Sequence, residues 1–329
     1  MTIHGRWFLL LTSLLLIFAQ GAPAQEAPRE FTAWLAQLRV DAGAAGISQK
    51  TLDAALAGLV APEPKVIERD QAQPEKTTSL NDYVTTRVSP ERIAEGRLML
   101  RRYRTWLGRI ERQYRVQKRF LVALWGIESS YGRHTGGYPV IPALVSLAFD
   151  ERRGDYFRRE LIEALKIVDA GHISLARLKG SWAGAMGPFQ FMPSSFRHYA
   201  VDGDGDGRID ILGSVPDALA SAANYLAKAG WHNDQTWGRP VTLPHPFDRQ
   251  LAGLDTRLPL SRWQALGVRR SNGAALPRRN LQASLILADD PQGSAYLVYD
   301  NFRALRRWNR SNSFAVAVGT LADSYQQRR

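Results

Sequence analysis

The chain has 329 residues, no cysteine, and a formal net charge of +12 from 43 basic and 31 acidic side chains. Without cysteine, neither a disulfide nor a lipid-modified cysteine can form, so stability must come from a hydrophobic core or a bound metal. The cation excess favours an acidic partner, yet there is no zinc-ligand spacing, no RNP-like strand and no basic heptad region, which argues against nucleic acid. In chain order, residues 1–24 read as a cleaved secretory signal. His4 and Arg6 give a basic start, Trp7 to Ala19 is an apolar run too short to span a bilayer, and Ala22-Pro23-Ala24 supplies small residues before Gln25. An uncleaved anchor is the alternative. Residues 25 to about 78 read as one or two helices and a Pro- and charge-rich connector, from Ala61-Pro62-Glu63-Pro64 to Pro74. Ser89-Pro90 has the signature of a helix cap and first turn. After it Leu100, Tyr103, Leu107, Ile110 and Tyr114 recur at helical spacing. Phe120 to Trp125 reads as a buried helix that Gly132 lets the chain turn out of. Further helices are predicted over Phe157 to Ala170 and over Pro216 to Ala229, the latter closed by Gly230. From about Trp237 the texture changes. Pro240, Pro244, Pro246 and Pro259 break any helix, while Ala283 to Ala288 and Ala295 to Tyr299 look like strands joined by a turn at Asp290-Pro291-Gln292-Gly293. This predicts a small β-subdomain inserted in a helical protein. Asn301 to Tyr325 returns to helix, with Phe314, Val318 and Leu321 at helical spacing.

Three segments carry chemistry. Glu128, in Trp125-Gly126-Ile127-Glu128-Ser129-Ser130-Tyr131-Gly132, ends the apolar helix. Desolvation by Trp125 and Ile127 should raise its pKa towards the range a general acid needs; the bland alternative is a carboxylate that only accepts from Ser129 or Ser130. Asp202-Gly203-Asp204-Gly205-Asp206-Gly207-Arg208 places carboxylates at loop positions 1, 3 and 5, a glycine at 6 and a backbone carbonyl (Arg208) at 7, the spacing of an EF-hand calcium loop. Gly213 stands where that loop expects a glutamate, so Asp217 is expected to close a longer loop, with Asp210 contributing through water. A flexible acidic turn without an ion is the competing reading. Three carboxylates packed so tightly repel unless a cation is present, which favours calcium. The third segment runs from Lys179 to Ser195. Its small residues let backbone approach a ligand, Trp182, Phe189 and Phe191 offer flat faces to sugar rings, and Gln190 offers a donor and an acceptor. A tightly packed core loop would have the same spacing.

Taken together and in order, Glu128-Ser129-Ser130-Tyr131-Gly132, Gly184 through Ser195, the acidic loop, and Asp217 through Leu226 resemble the lytic murein transglycosylase B family. The resemblance covers roughly residues 30 to 325. It implies a mainly α fold of the lysozyme-like kind: a helical catalytic core over 89–236 with the calcium loop at 202–217, a helical subdomain over 25–88, a small β-subdomain over 237–300, and a closing helical segment over 301–329. It implies cleavage of the β-1,4 bond between N-acetylmuramic acid and N-acetylglucosamine, with Glu128 as the single acid/base. Structural calcium would sit on Asp202, Asp204, Asp206, Arg208 and Asp217. Ser181, Gln190, Tyr83 and Tyr225 match residues that position the sugar, Ser129 joins them, and the stretch through Trp308 and Asn309 matches a further part of the groove. The family usually has tyrosine where this chain has Trp308 and Phe314, so a hydroxyl contact is lost at both. The expected partners are peptidoglycan glycan strands and, as further candidates, other wall enzymes. No organic cofactor and no nucleic acid are expected, and the form expected is a soluble, periplasmic monomer.

A glycosidase that hydrolyses its substrate needs two carboxylates flanking the bond. No second one is tied by motif to Glu128; Asp150, Glu151 and Asp155 are nearest in sequence but sit with Arg152 and Arg153 in a charged stretch that reads as a solvated helix start. One carboxyl group suffices if the substrate supplies the nucleophile, giving 1,6-anhydromuramic ends. The alternatives are a muramidase hydrolysing the same bond and a wall-binding scaffold without activity.

Overall fold

The computed structural model describes residues 26–72, 78–150, 152–288 and 294–326. The secretory-signal reading and the turn at Asp290 to Gly293 lie outside these residues. Three helices open the chain: α1 (Glu26–Ala44), α2 (Gln49–Ala55) and α3 (Pro64–Gln71). Phe31, Leu38 and Ala42 form the buried stripe of α1, and Phe31 and Trp34 pack edge-on against Phe149 at 5.2 and 5.6 Å. The Pro-rich connector is thus in part a helix. Pro64 occupies the first turn of α3, where its missing N–H costs nothing, and Val66 and Asp70 are buried.

α4 (Leu80–Arg87) and α5 (Pro90–Arg102) are capped by Ser79 and Ser89, whose side chains accept from Asp82 and Arg92 N–H groups. The helical section bends at Tyr103, which leaves helical values (φ −101, ψ 19) before α6 (Arg104–Tyr114). The Tyr103 ring packs edge-on against Trp125 at 5.6 Å, and the apolar spacing runs on through the bend, so the sequence pattern does not reveal it. α7 (Lys118–Ser129) is buried without interruption from Phe120 to Ile127. α8 (Val140–Phe149) and α9 (Gly154–Asp169) pack against each other. α10 (Pro193–Tyr199) and α11 (Val215–Lys228) complete the central helices.

Two short strands absent from the sequence reading, β1 (Tyr138–Pro139) and β2 (Lys179–Gly180), pair antiparallel beside α8. The remaining strands are β3 (Gly238–Thr242), β4 (Gly253–Pro259), β5 (Arg269–Arg270), β6 (Gln282–Leu287) and β7 (Ala295–Val298). They form one antiparallel sheet in the order β4-β6-β7-β3-β5. With α12 (Leu260–Ala265), its inner face closes a second core around Trp263, Leu285 and Leu297. α13 (Asp300–Trp308) and α14 (Asn312–Ser324) then return to the main core, where α14 packs on α7 and α4. Among the described residues no helix is long and apolar enough to cross a membrane.

Asp70, 3% exposed, ties α3 to the start of α9 through ion pairs with Arg152 and Arg153. Burial pushes its pKa up, but the two guanidinium hydrogen bonds and their charges outweigh burial and hold it below the usual carboxylate range. A depressed folded-state pKa contributes stability above the unfolded value and loses it as the pH falls through the folded one. Asp70→Asn should therefore lower stability at neutral pH by about 2 kcal/mol, the cost of breaking a partly exposed pair. Thermal melts across pH should show the gap between variant and wild type closing in acid; a gap independent of pH would remove the ion pair from the explanation.

Candidate active site

An α-helix buried all round offers solvent only at its ends, and Glu128 is the penultimate residue of α7, half-buried. The turn out of α7 begins two residues earlier than expected. Ser130, Tyr131 and Gly132 are left-handed in succession, with φ of 51, 61 and 85°. For the two residues that carry a Cβ this conformation costs roughly 1–2 kcal/mol each. The surroundings offset it. Ser130 and Tyr131 N–H groups donate to Gly126 O (3.1 Å) and Trp125 O (3.3 Å), satisfying the last carbonyls of the helix. Arg92 donates to Ser130 Oγ at 3.2 Å, and Tyr131 donates to Arg92 O at 2.6 Å while its hydroxyl lies 2.9 Å from that of Tyr325. Burial pushes the Tyr131 phenol up to about 12, so it stays a neutral donor. A Cβ on Gly126 would stand 2.7 Å from the Tyr131 ring, so the turn also requires glycine there.

Glu128 Oε1 accepts a hydrogen bond from Trp308 Nε1 at 2.7 Å. The expected loss of a contact at Trp308 is corrected here, because the indole N–H supplies a donor. The Trp308 ring is held by Phe191 (5.2 Å, edge-on) and Tyr225 (4.6 Å), and Tyr225 continues to Tyr199 (4.3 Å). The Tyr225 hydroxyl donates to Arg307 O at 2.7 Å, which fixes the end of α13 that carries Trp308. Burial and the neighbouring Tyr199 push its pKa up to about 12, only partly opposed by Arg307. Phe314, 3% exposed, belongs to the core, and no groove contact depends on a hydroxyl there.

Not every expected residue faces the site. Ser129 is 2% exposed, donates to Pro188 O at 2.6 Å and accepts from Gly132 N–H at 2.9 Å, so it clasps the end of α7 to the loop before α10 rather than binding substrate. Phe189 and Phe191, 1 and 2% exposed, are floor rather than faces for a sugar; of the three aromatic residues only Trp182 is partly open. The small residues of this loop serve backbone-to-backbone approach. A Cβ on Gly180 would meet Ala185 O at 2.2 Å, and one on Gly136 would meet Gly180 O at 2.1 Å. Ser181 is thereby fixed at the end of β2, with its hydroxyl accepting from Ala183 and Ala185 N–H groups at 3.2 and 3.1 Å and its own proton left to donate. Gln190, left-handed at φ 50°, donates both amide hydrogens to Thr135 O (3.1 Å) and Gly187 O (2.9 Å), which leaves its amide oxygen to accept. Tyr83 is half-buried on α4 with the Arg87 guanidinium 5.4 Å from its ring centre. Asn309 is exposed at the end of α13, accepting from Ser311 N–H at 3.0 Å.

Of the carboxylates considered as a second catalytic group, Asp150 accepts from Arg152 N–H at 3.0 Å, and Asp155 faces a cavity of about 850 Å3 to which α7 contributes no residue. Glu151 lies outside the described residues. Sequence reasoning missed Arg92, Tyr325 and Glu160. Glu160, 4% exposed on α9, accepts from Ser194 N–H (2.9 Å) and Oγ (2.7 Å) at the start of α10. Its signal was there: a carboxylate in the apolar stripe of Phe157, Leu161 and Ala164 must find buried donors.

In the acidic loop, carboxylate oxygens of Asp202, Asp204 and Asp217 lie within 4.8 Å of one another. Asp217, 1% exposed at the start of α11, closes the loop as expected, accepting from Gly203 (2.8 Å) and Asp210 (2.7 Å) N–H groups. Asp206 is not in this cluster; its Oδ1 accepts from Arg208 N–H at 2.8 Å. Asp210 accepts from Arg177 at 2.8 Å. Three converging carboxylates are a donor set suited to a hard cation such as calcium.

The family model for the transglycosylase SLT domain matches residues 30–323. The membrane-bound lytic murein transglycosylase B of Escherichia coli (strain K12) is 34% identical over 244 residues, covering 72% of this chain and 64% of that protein. This chain therefore spans somewhat less than two thirds of that relative's length. A crystal structure of SltB3 from Pseudomonas aeruginosa with NAG-anhNAM-pentapeptide superposes with a TM-score of 0.86 at 44% identity, covering 90% of this chain and 79% of that one. The Escherichia coli lytic transglycosylase Slt35 in complex with calcium gives a TM-score of 0.75 at 28% identity, covering 91 and 92%. The family match runs through α7, the Ser181 loop and the acidic loop alike, and the chain belongs to the lytic murein transglycosylase B family.

Proposed function

We propose that this protein is a lytic transglycosylase that cleaves the β-1,4 bond between N-acetylmuramic acid and N-acetylglucosamine in peptidoglycan strands. The observation that carries this is Glu128, a single carboxyl group at the open end of a buried helix, held at Oε1 by the Trp308 indole at 2.7 Å. In the first half-reaction protonated Glu128 gives its proton to the leaving glycosidic oxygen. In the second, the carboxylate takes the proton of the muramic C6 hydroxyl as that oxygen closes on C1, which leaves a 1,6-anhydro ring and returns Glu128 to its acid form. The attack is intramolecular, so the C6 hydroxyl has a large effective concentration over bulk water. Trp308 is donor-only, so Oε1 is the accepting oxygen in both protonation states and the cycled proton belongs on Oε2. Ser181 Oγ–H and the Gln190 amide oxygen are the donor and acceptor offered to the sugar, and the place of action is the periplasm.

We further propose that calcium is held by Asp202, Asp204 and Asp217 with the Arg208 carbonyl, as a structural ion. It supplies charge neutralisation within the loop and takes no part in the proton cycle.

Glu128→Gln keeps shape but cannot cycle a proton, so turnover should fall by about two orders of magnitude or more with the fold retained. Digestion in oxygen-18 water should leave the new muramic ends unlabelled. Label in most of them would make the enzyme a hydrolase and send the search to a second carboxylate. Trp308→Phe keeps an aromatic ring against Tyr225 and Phe191 but removes the donor, so kcat should fall about ten- to a hundredfold, the worth of a hydrogen bond to a charged group. KM should change little, and an unchanged kcat would reject the orienting role. For the acidic loop, excess chelator should lower the melting temperature by several degrees and calcium should restore it by mass action. Asp217→Asn should abolish that response.

A further inference from the structure

Arg92 is a cation at the turn beside Glu128, but it leaves most of the chain's cation excess unexplained. The excess is concentrated elsewhere. Between Arg97 and Arg119 there are nine basic residues and a single carboxylate, Glu111, which Lys118 engages at 3.6 Å. On α6 the inward face is Leu107 and Ile110, 0 and 2% exposed. At about 100° per residue the opposite face carries Arg104, Arg109 and Arg112, and Arg115 continues it as the cap. Arg101 and Arg102 precede it at the end of α5. All six arginines are exposed, and among the described residues none of their guanidinium groups forms an ion pair or a hydrogen bond. Arg102 and Arg109 lie over the rings of Tyr103 and Trp106 at 5.5 and 5.1 Å, so the planar groups are held outward against aromatic faces. Leu98, 44% exposed, flanks them.

Like charges gathered on one face repel and are a standing attractor for a surface of opposite sign. The face is the convex side of a helix about 17 Å long by its rise per residue, which suits a plane better than a bound strand. Its cations are all arginine, whose forked guanidinium pairs with phosphate through two hydrogen bonds. We propose that this face docks the protein reversibly onto an anionic phospholipid bilayer. Because Leu107 and Ile110 are committed to the core, α6 has no apolar face to insert, and the attachment is electrostatic and peripheral. It does not depend on the chemistry assigned to Glu128.

Co-sedimentation of the full chain with phosphatidylcholine vesicles, with and without phosphatidylglycerol, tests this. Binding should require phosphatidylglycerol and be released by salt, because the interaction is screened. The combined variant Arg101→Gln, Arg104→Gln, Arg109→Gln, Arg112→Gln should bind on the order of tenfold or more weakly, given the contribution of each basic residue at an anionic surface. Its melting temperature and its turnover of soluble wall fragments should match wild type, and Glu128→Gln should bind vesicles as wild type does. The proposal is overturned if wild type binds both vesicle types equally or neither, or if the arginine variant still sediments like wild type. It is also overturned if the variant loses retention on isolated sacculi while keeping vesicle binding, which would assign the face to the wall polymer.

Discussion

A carboxyl group on a helix that is buried on every side can meet a substrate only where that helix stops, and the way α7 stops organises everything around it. Two residues with side chains, Ser130 and Tyr131, adopt the left-handed conformation that allows the chain to leave the helix one residue after Glu128. Strain of this kind persists only where neighbours over-determine it. Here α5 provides Arg92, the residue after α14 provides Tyr325, and the loop before α10 provides Pro188 O. Three segments far apart in sequence converge on one turn. The C-terminal helices, which end some two hundred residues after α7 begins, are thus part of the support of the turn beside Glu128, and α14 packs on α7 and α4.

What was legible in the sequence divides along a physical line. Helices with one apolar face or one clear cap were readable: Ser89-Pro90 opens α5, the stripe from Phe157 opens α9, and Gly230 follows α11 in the left-handed region. The acidic loop was readable because carboxylates at alternate positions carry their own electrostatic reason, including its closure by Asp217. Residue type misled where one side chain has two uses. Ser129 and Phe189 look like groove residues in sequence, yet one clasps backbone and the other is floor. Only the depth of each in the fold separates these uses, and depth is not periodic. The two-residue strands β1 and β2 were invisible for a related reason. They are held by the close approach of Gly136, Gly180 and Ala185, a contact between distant segments without any local pattern.

Trp308 shows how a replacement that reads as a loss can conserve a physical role. A tyrosine hydroxyl can both donate and accept, whereas an indole N–H can only donate. Against a carboxyl oxygen the donating half is the useful one, and the larger ring extends through Tyr225 to Tyr199 and down to Phe191. The edge-on contact with Phe191 adds about 0.5–1.5 kcal/mol beyond the area it buries. The donor therefore sits on a rigid aromatic stack, and the position of Glu128 Oε1 inherits that rigidity.

The acidic loop and the active site share a helix, which defines what the loop can contribute. Asp217 lies in the first turn of α11 and Tyr225 in its last, eight residues on and therefore about 12 Å along the axis. That exceeds the Debye length of about 8 Å at physiological ionic strength, so the exposed charge of the loop is largely screened at Tyr225. It is close enough for mechanics. Holding the start of α11 fixes the register of a helix whose other end places Tyr225 against both Trp308 and the Arg307 carbonyl. The acidic loop thus reaches Glu128 through three contacts in series: α11, the Tyr225 ring and the Trp308 indole.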